Sequence, residues 1–150
     1  MIVLLQRVTR ADVKIDGDIV AEIGLGLLVL VAVQRGDRDA EAARLAERLL
    51  SYRVFPDDAG RMNLSVRDAG GSLLLVPQFT LAADTSGGLR PGFSRAAPPE
   101  TGARLFERFC EHIRASGMPV GCGRFGADMQ VTLTNDGPVT FWLEIEPPAV

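Results

Sequence analysis

The sequence is poor in the residues on which many catalytic and metal sites depend. Its 150 residues include one histidine, His112, and two cysteines, Cys110 and Cys122, which do not form a CxxC pair. A zinc site would need nearly all of these residues at unsuitable spacings. A Ser-His-Asp triad would have to use His112, which we interpret as a solvated residue near the end of an amphipathic helix. We therefore expect no metal and no cofactor, and a hydrolase with this sequence would work without a histidine base.

Long hydrophobic runs and targeting signals are also lacking. The longest apolar run, residues 23–33, is too short to span a bilayer and contains two glycines. The first seven residues have no basic region before their apolar stretch, so they predict a first strand and not a signal peptide. We expect a cytoplasmic protein without a membrane segment, in which both cysteines are free thiols.

Composition favours one globular domain over residues 1–150. Hydrophobic residues make up 47% of the chain, which excludes a disordered protein. The net charge is −3, so overall electrostatics do not indicate a nucleic-acid binder. Lys14 is the only lysine among 16 basic residues. Arginine suits bidentate phosphate contacts, but its excess can equally reflect genomic composition.

Short apolar and alternating runs predict a β-rich chain. Two alternating runs flank Asp16-Gly17 and predict a hairpin. The continuous apolar run 27–33 predicts a central strand that is buried on both faces. The strands expected in this part of the chain cover residues 1–8, 11–15, 19–23, 27–33, 52–55 and 73–76.

Two segments have the periodicity of amphipathic helices. Asp37 or Asp39 is the expected N-cap of the first helix, and the second is expected to begin at Pro99 and to end before Gly117. Their apolar stripes comprise Ala42, Leu45, Ala46 and Leu49 in the first and Phe106, Phe109, Cys110 and Ile113 in the second. Because helices and strands do not alternate, the predicted fold class is α+β, with a single β-rich domain and two main helices.

The chain ends in two alternating runs, residues 129–134 and 139–145, on either side of Asn135-Asp136-Gly137-Pro138. This pattern predicts a half-buried hairpin. X-Pro bonds have only a small trans preference, so a cis bond is accessible at Gly137-Pro138. A cis bond would expose two successive backbone carbonyls as a rigid probe of ligand shape. A tight turn before an edge strand is the simpler interpretation.

Gln78 and Thr80 lie where the strand 73–76 runs into a loop. On a strand, residues i and i+2 point to the same side, so this amide and hydroxyl would face one pocket. Backbone N–H groups after Pro77 could form an oxyanion site. A threonine nucleophile needs a base, and the nearest acid in sequence, Asp84, is not evidently placed for that role. A polar strand end without a function is the alternative.

Motifs along the whole chain resemble those of the D-aminoacyl-tRNA deacylase family. They are Gln6-Arg7-Val8-Thr9-Arg10-Ala11, Met62-Asn63-Leu64, Gln78-Phe79-Thr80-Leu81-Ala82-Ala83-Asp84, Leu89-Arg90-Pro91, Phe93-Ser94, Gly123-Arg124-Phe125-Gly126-Ala127-Asp128-Met129 and Asn135-Asp136-Gly137-Pro138-Val139-Thr140. Two positions depart from the family pattern, because Pro77 replaces a frequent serine and Cys122 a frequent threonine. Proline has neither an N–H group nor a hydroxyl, so any donor role at position 77 is lost.

The resemblance implies a homodimer with a mixed, barrel-like sheet. It implies an enzyme that hydrolyses the ester between a D-amino acid and the terminal ribose of tRNA, and that also removes glycine mischarged on tRNA-Ala. The aminoacyl-tRNA 3′ end is then the partner. A cis Gly137-Pro138 bond would reach into the partner subunit's pocket, where its carbonyls would exclude L-amino acids. Phe141 and Trp142 would suit a subunit interface, or could equally be a core residue and a single surface aromatic.

The resemblance also implies roles for individual residues. Gln78, Phe79 and Thr80 would line the pocket, mainly through backbone groups, with Gln78 and Thr80 as the catalytic residues. Phe125 and Met129 would lie near the terminal adenosine. Catalysis by Thr80 and assistance from the tRNA's own 2′-hydroxyl are both open. Two other functions also fit the residues: an RNA 3′-end-binding module without hydrolysis, and a small-molecule esterase with a threonine nucleophile.

Overall fold

The first strand, β1, organises the fold. In the computed structural model, which describes residues 1–149, β1 runs without interruption from Ile2 to Ile15. The two strands expected at 1–8 and 11–15 are therefore one. The remaining elements are β2 (Asp18–Ile23), β3 (Gly26–Ala32), α1 (Asp39–Ser51), β4 (Phe55–Pro56), β5 (Met62–Leu64), β6 (Ser72–Pro77), a 3₁₀ turn (Phe79–Ala82), α2 (Pro99–Ala115), β7 (Val120–Cys122) and β8 (Gln130–Glu144).

The main sheet is mixed and curls into a nearly closed barrel. One edge of β1 pairs antiparallel with β8, and the other edge pairs first with β3 and then with β2. β3, β6 and β7 follow as parallel neighbours. β2 comes round to β7, where a Cβ added to Gly121 would lie 3.1 Å from the Cβ of Ala21. The predicted Asp16-Gly17 hairpin and the mixed, barrel-like α+β fold are confirmed.

Both faces of the central strands are buried. On one face, β3 and β6 pack against α1 and α2 in a core that includes Leu45, Leu49 and Phe109. On the other face, Leu28 and Leu74 belong to a second apolar cluster inside the barrel. The apolar stripes predicted for the two helices are buried, as is the central strand predicted at 27–33. No helix within residues 1–149 is long and apolar enough to cross a bilayer.

Two local predictions in the first half are wrong. Neither Asp37 nor Asp39 caps α1, because Arg38 precedes the helix and donates its backbone N–H to the Glu41 carboxylate at 2.8 Å. Asp37 instead accepts hydrogen bonds from the Gln34 N–H and from the amino group of Met1. The strand expected at 52–55 is limited to Phe55–Pro56, which pairs with β5.

The predicted C-terminal hairpin is also wrong. Residues 130–144 form one strand, β8, and both of its halves pair with β1 and not with each other. At fourteen residues, β1 is long enough to bury both alternating halves. Val8 pairs with Asn135 and Gln6 with Thr140, so four residues of β8 lie opposite the single residue Arg7 of β1, and three of them are extra. These residues, 136–139, bulge out of the ladder, and we call them the β8 bulge.

Candidate functional site

An apolar pocket of about 450 Å³ lies at the end of β6. It is lined by Val76, Pro77, Gln78, Phe79, Ala97, Pro99, Phe125, Gly126, Ala127, Met129 and Val131. Four residues that the sequence singled out, Gln78, Phe79, Phe125 and Met129, therefore meet in one cavity. Phe79 is 52% exposed and Phe125 36%, so aromatic faces are open to a ligand.

Two glycines let the pocket walls approach each other closely. A Cβ on Gly123 would lie 2.8 Å from Sδ of Met129 and 3.4 Å from Pro77. A Cβ on Gly102, in α2, would lie 3.2 Å from the Phe125 ring. The segment between β7 and β8 is thus packed against both β6 and α2, which brings Phe125 and Met129 to the cavity that Phe79 also lines.

Gln78 and Thr80 are brought together by a turn and not by a strand. β6 ends at Pro77, and the 3₁₀ turn begins at Phe79. The expectation of an i, i+2 strand pair was therefore wrong, although the two side chains do meet, since the Gln78 amide Nε2 donates a hydrogen bond to Thr80 Oγ1. Gln78 lines the pocket, whereas Thr80 is exposed and is not among the lining residues.

No base accompanies the Thr80 hydroxyl in the described part of the chain, where its hydrogen-bond partner is the Gln78 amide. The nearest acid in sequence, Asp84, is engaged elsewhere. Its Oδ1 accepts hydrogen bonds from the Ser86 hydroxyl at 2.6 Å and the Ser86 N–H at 2.9 Å. These hydrogen bonds keep the pKa of Asp84 below its usual value. Asp84 is therefore a carboxylate at neutral pH that is held by its own loop.

Two backbone donors are available beside the pocket. The Gln78 N–H donates to the Val31 carbonyl at 2.7 Å and so is not free. The N–H groups of Phe79 and Thr80 open the 3₁₀ turn, where no preceding carbonyl of the turn can accept from them. They make no hydrogen bond within residues 1–149. Of the N–H groups after Pro77, these two can accommodate a developing negative charge.

The β8 bulge is held at its base by the Asn135 side chain. Its Nδ2 donates to the Val139 carbonyl at 3.0 Å and to the Arg7 carbonyl at 3.3 Å, and its Oδ1 accepts from the Val139 N–H at 3.0 Å. One amide therefore closes both ends of the bulge and joins it to β1.

A second clamp comes from the partly buried Arg7. Its Nε lies 3.4 Å from Oδ2 of Asp136, and its Nη1 donates to the Val54 carbonyl at 2.8 Å. This clamp could not be predicted from the sequence, because no local spacing relates residue 7 to residue 136. The predicted hairpin places Asp136 in its turn, whereas in the structure Asp136 is the anionic partner of Arg7.

The tip of the bulge consists of Gly137 and Pro138, which are both exposed and joined by a cis peptide bond. Gly137 has φ +127°, a conformation that side-chain-bearing residues rarely adopt. A Cβ there would lie 2.7 Å from Cγ2 of Val139 and 3.3 Å from Nη2 of Arg7. Neither Gly137 nor Pro138 lines the pocket of its own chain.

Within residues 1–149, no three His, Cys, Asp or Glu side chains lie close enough together to hold a metal ion. His112 is half-buried near the end of α2 and not simply solvated, and its Nε2 is buried without a hydrogen-bond partner inside those residues.

Comparisons with known proteins identify the family of this chain. The family model described as D-Tyr-tRNA(Tyr) deacylase matches residues 4–144. A protein of Alkalilimnicola ehrlichii that is named D-aminoacyl-tRNA deacylase is 62% identical over 149 residues, which cover 99% of both chains. A protein of the same name from Cronobacter sakazakii is 58% identical and covers 97% of this chain and 100% of its own.

Solved structures have the same fold. A structure titled c-Myc DNA Unwinding Element Binding Protein superposes with a TM-score of 0.92 at 37% identity, covering 99% of this chain and 100% of that one. A second, titled as a structural analysis of a probable eukaryotic D-amino acid tRNA deacylase, has a TM-score of 0.80 at 20% identity and covers 96% and 98%. The second likeness concerns the fold alone. From the match over nearly its full length, this chain belongs to the D-aminoacyl-tRNA deacylase family of hydrolases.

Proposed function

We propose that the protein hydrolyses the ester bond of D-aminoacyl-tRNA, releasing a free amino acid and tRNA. The observation that carries this proposal is the match of residues 4–144 to the deacylase family, together with the apolar pocket in which four of the expected site residues meet. In this proposal residues 1–150 are a single deacylase domain that acts in the cytoplasm on the aminoacyl-tRNA 3′ end.

The pocket suits the terminal adenosine of tRNA. A base can stack on an aromatic side chain whatever its sequence context, because every base has a π-face. Phe125 and Phe79 offer such faces at the open side of the cavity, and Met129 supplies an apolar, polarisable floor. Phe125 and Met129 hold the adenosine in this proposal, and the esterified ribose then lies towards Gln78.

The chemistry is attack of water on the ester carbonyl. A C–O bond forms to the water oxygen, the carbonyl becomes an oxyanion, and the bond to the ribose oxygen breaks as that oxygen gains a proton. The N–H groups of Phe79 and Thr80 would stabilise the oxyanion. Gln78 would position Thr80 through their hydrogen bond. Since no base accompanies Thr80 among residues 1–149, the vicinal 2′-hydroxyl of the tRNA is the group that orients the water in this proposal.

Selection against L-amino acids falls to Gly137 and Pro138. Their carbonyls lie on an exposed bulge that is clamped by Asn135 and Arg7 but is absent from the lining of its own pocket. We propose that the bulge of one subunit enters the pocket of its partner in a homodimer. There it would exclude an L-side chain sterically and leave room for a D-side chain. Glycine has no Cβ to exclude, so glycyl-tRNA would also be a substrate.

The test is a deacylation assay with the purified protein. D-aminoacyl-tRNA, L-aminoacyl-tRNA, glycyl-tRNA and a free D-amino acid ester are offered separately, and the release of each amino acid is measured. The proposal expects turnover of the D- and glycyl-tRNA substrates only. Binding of all tRNA substrates without release of amino acid would favour an RNA-end-binding module. Equal turnover of the free ester would favour a small-molecule esterase.

A further inference from the structure

The two cysteines, which the deacylase site does not use, belong to one region of the core. Cys110 is on α2 and is completely buried, and Cys122, the last residue of β7, is half-buried and packs against the same core. Arg114 lies one turn after Cys110 on the same face of α2, and its Nη2 donates to the Cys122 sulfur at 3.4 Å. The Cys122 sulfur therefore lies against the part of α2 that carries Cys110, with a guanidinium on its outer side.

This arrangement makes the two thiols unequal. The hydrogen bond from Cys110 and the positive charge of Arg114 lower the pKa of Cys122, although burial opposes them. The hydrogen bond to Cys122, and then burial, raise the pKa of Cys110. Glu107 forms a 3.0 Å ion pair with Arg114 and so fixes the guanidinium in place. Of the two, Cys122 is the nucleophile, because a thiolate reacts and a thiol does not.

We propose that Cys110 and Cys122 form a peroxide-sensitive thiol pair, in which Cys122 is the reactive thiol and Cys110 the resolving thiol of a reversible intramolecular disulfide. The oxidant is a hydroperoxide, and a low-molecular-weight thiol restores the reduced state. The proposal rests on the arrangement of the two cysteines: they come from different elements of the fold and share one core, and a cation contacts the sulfur of the more exposed one.

The proposed reaction balances in two steps. In the first, the Cys122 thiolate attacks one peroxide oxygen, an S–O bond forms, the O–O bond breaks, and the departing hydroxide takes a proton to become water. Cys122 is then a sulfenic acid, two electrons more oxidised. In the second, the Cys110 sulfur attacks the Cys122 sulfur, the S–S bond forms, and the S–O bond breaks. The oxygen leaves as a second water with the proton of Cys110.

A disulfide between Cys110 and Cys122 would also change the shape of the pocket. Gly123 follows Cys122, donates its N–H to the Leu75 carbonyl at 2.8 Å, and packs against Met129. A covalent link that draws Cys122 towards α2 would move this wall and raise the KM for the tRNA 3′ end. This consequence rests on the proposed function, whereas the thiol chemistry does not.

The experiment treats the whole protein with hydrogen peroxide and follows free thiols and intact mass. The expected wild-type product has lost both thiols and two hydrogen atoms, carries a disulfide between the peptides containing Cys110 and Cys122, and returns to the starting mass with dithiothreitol. Cys110→Ser should stop at a Cys122 sulfenic acid that is trapped by a dimedone probe. Cys122→Ser should slow thiol loss about tenfold or more, because the remaining thiol is buried and protonated.

A matched pair of arginine variants tests the role of the cation. Arg114→Gln should slow the peroxide reaction several-fold, whereas Arg108→Gln, on the same helix but paired with Glu111, should react as the wild type does. Separate oxidation of the two cysteines without a disulfide would overturn the proposal, as would cross-linking between chains. Equal rates for wild type and Cys122→Ser would overturn the assignment of Cys122. Because thiols and mass are measured, these outcomes do not depend on deacylase activity.

Discussion

The β8 bulge and the pocket are built in opposite ways. The bulge is a convex tip of backbone. It is held by an arginine clamp and by one asparagine side chain, which donates two hydrogen bonds and accepts a third. The pocket is concave and apolar, and its walls include the aromatic side chains of Phe79 and Phe125. Both are exposed in the single chain, and neither contributes to the other.

This difference suggests a division of labour. A tip fixed by its own side chains can reject a substrate by shape, because yielding would break several bonds at once. An apolar pocket with open aromatic faces can bind a base but cannot distinguish the two hands of an amino acid. On this account, changes to the bulge alter the ratio of D- to L-substrate turnover, whereas changes to the pocket alter the KM of both substrates equally.

Gly137→Ala is expected to have the largest effect. The new Cβ would meet Val139 at 2.7 Å in a backbone conformation that alanine resists, so the tip must move. We expect kcat/KM for D-aminoacyl-tRNA to fall by about 100-fold, and the ratio of D- to L-turnover to fall with it. The measurement is kcat/KM for both substrates.

Two variants control for strain and for charge. Gly70→Ala also introduces alanine at a positive φ, here 65°, but its Cβ would have nothing within 4 Å. Because Gly70 belongs to neither the bulge nor the pocket, this variant should leave the ratio of D- to L-turnover unchanged. Asp84→Asn removes a carboxylate whose lowered pKa keeps it charged at neutral pH, and should also leave the ratio unchanged. If Asp84→Asn admits the L-substrate while Gly137→Ala behaves as wild type, the backbone filter is the wrong mechanism.

Asn135→Ala should have the next largest effect. It leaves the Val139 N–H and carbonyl without their side-chain partner, and the expected cost is about 1–3 kcal/mol of unfolding free energy. A looser bulge should lower the D-over-L ratio by about tenfold. Asn63→Ala is the control, since that amide forms one exposed hydrogen bond with Arg53. A destabilised variant with an intact ratio would show that the clamp stabilises the fold without serving selection.

Phe125→Leu tests the pocket. Leucine keeps an apolar side chain but removes the ring, and the loss of a base–aromatic stack costs about 1–3 kcal/mol of binding free energy. We expect KM to rise by about tenfold for D-aminoacyl- and glycyl-tRNA alike, with kcat and the D-over-L ratio unchanged. A change in that ratio would contradict the separation of binding from selection.

Thr80→Ala should have the smallest effect. Because its hydroxyl accepts a hydrogen bond from Gln78 and has no base beside it, we expect kcat to fall by less than the ~10²-fold typical of a lost general base. The matching substrate carries a terminal 2′-deoxyribose, on which turnover should be much slower. An acyl group found covalently attached to Thr80 would reverse this assignment.

Sequence periodicity was a good guide where burial decides the structure. The helices and the central strand follow from stripes and runs that only one arrangement can bury, and the pocket residues follow from their motifs. The β8 bulge could not be predicted in this way. An alternating run, a turn signal and a second alternating run describe a hairpin and a bulged strand equally well, and the length of β1 decides between them.

The clamp between Arg7 and Asp136 could not be predicted for the same reason. Arg7 and Asp136 meet because β1 and β8 pair, and nothing in the local sequence around either residue indicates the contact. The turn at Gln78 and Thr80 was missed for a different reason, since Pro77 ends the ladder one residue before the expected strand pair. In each case a long-range pairing or its termination overrides the local pattern.

The central claim is that the bulge of one chain completes the pocket of another. Two chains with different affinity tags, one carrying Gly137→Ala and the other Phe125→Leu, can be produced together and the mixed dimer purified through both tags. If the bulge acts in trans, the intact bulge of the Phe125→Leu chain enters the intact pocket of the Gly137→Ala chain. At tRNA concentrations below KM, one of the two sites should then recover, giving about half the wild-type rate per dimer. A mixed dimer no more active than the mean of its two parent variants would contradict the claim.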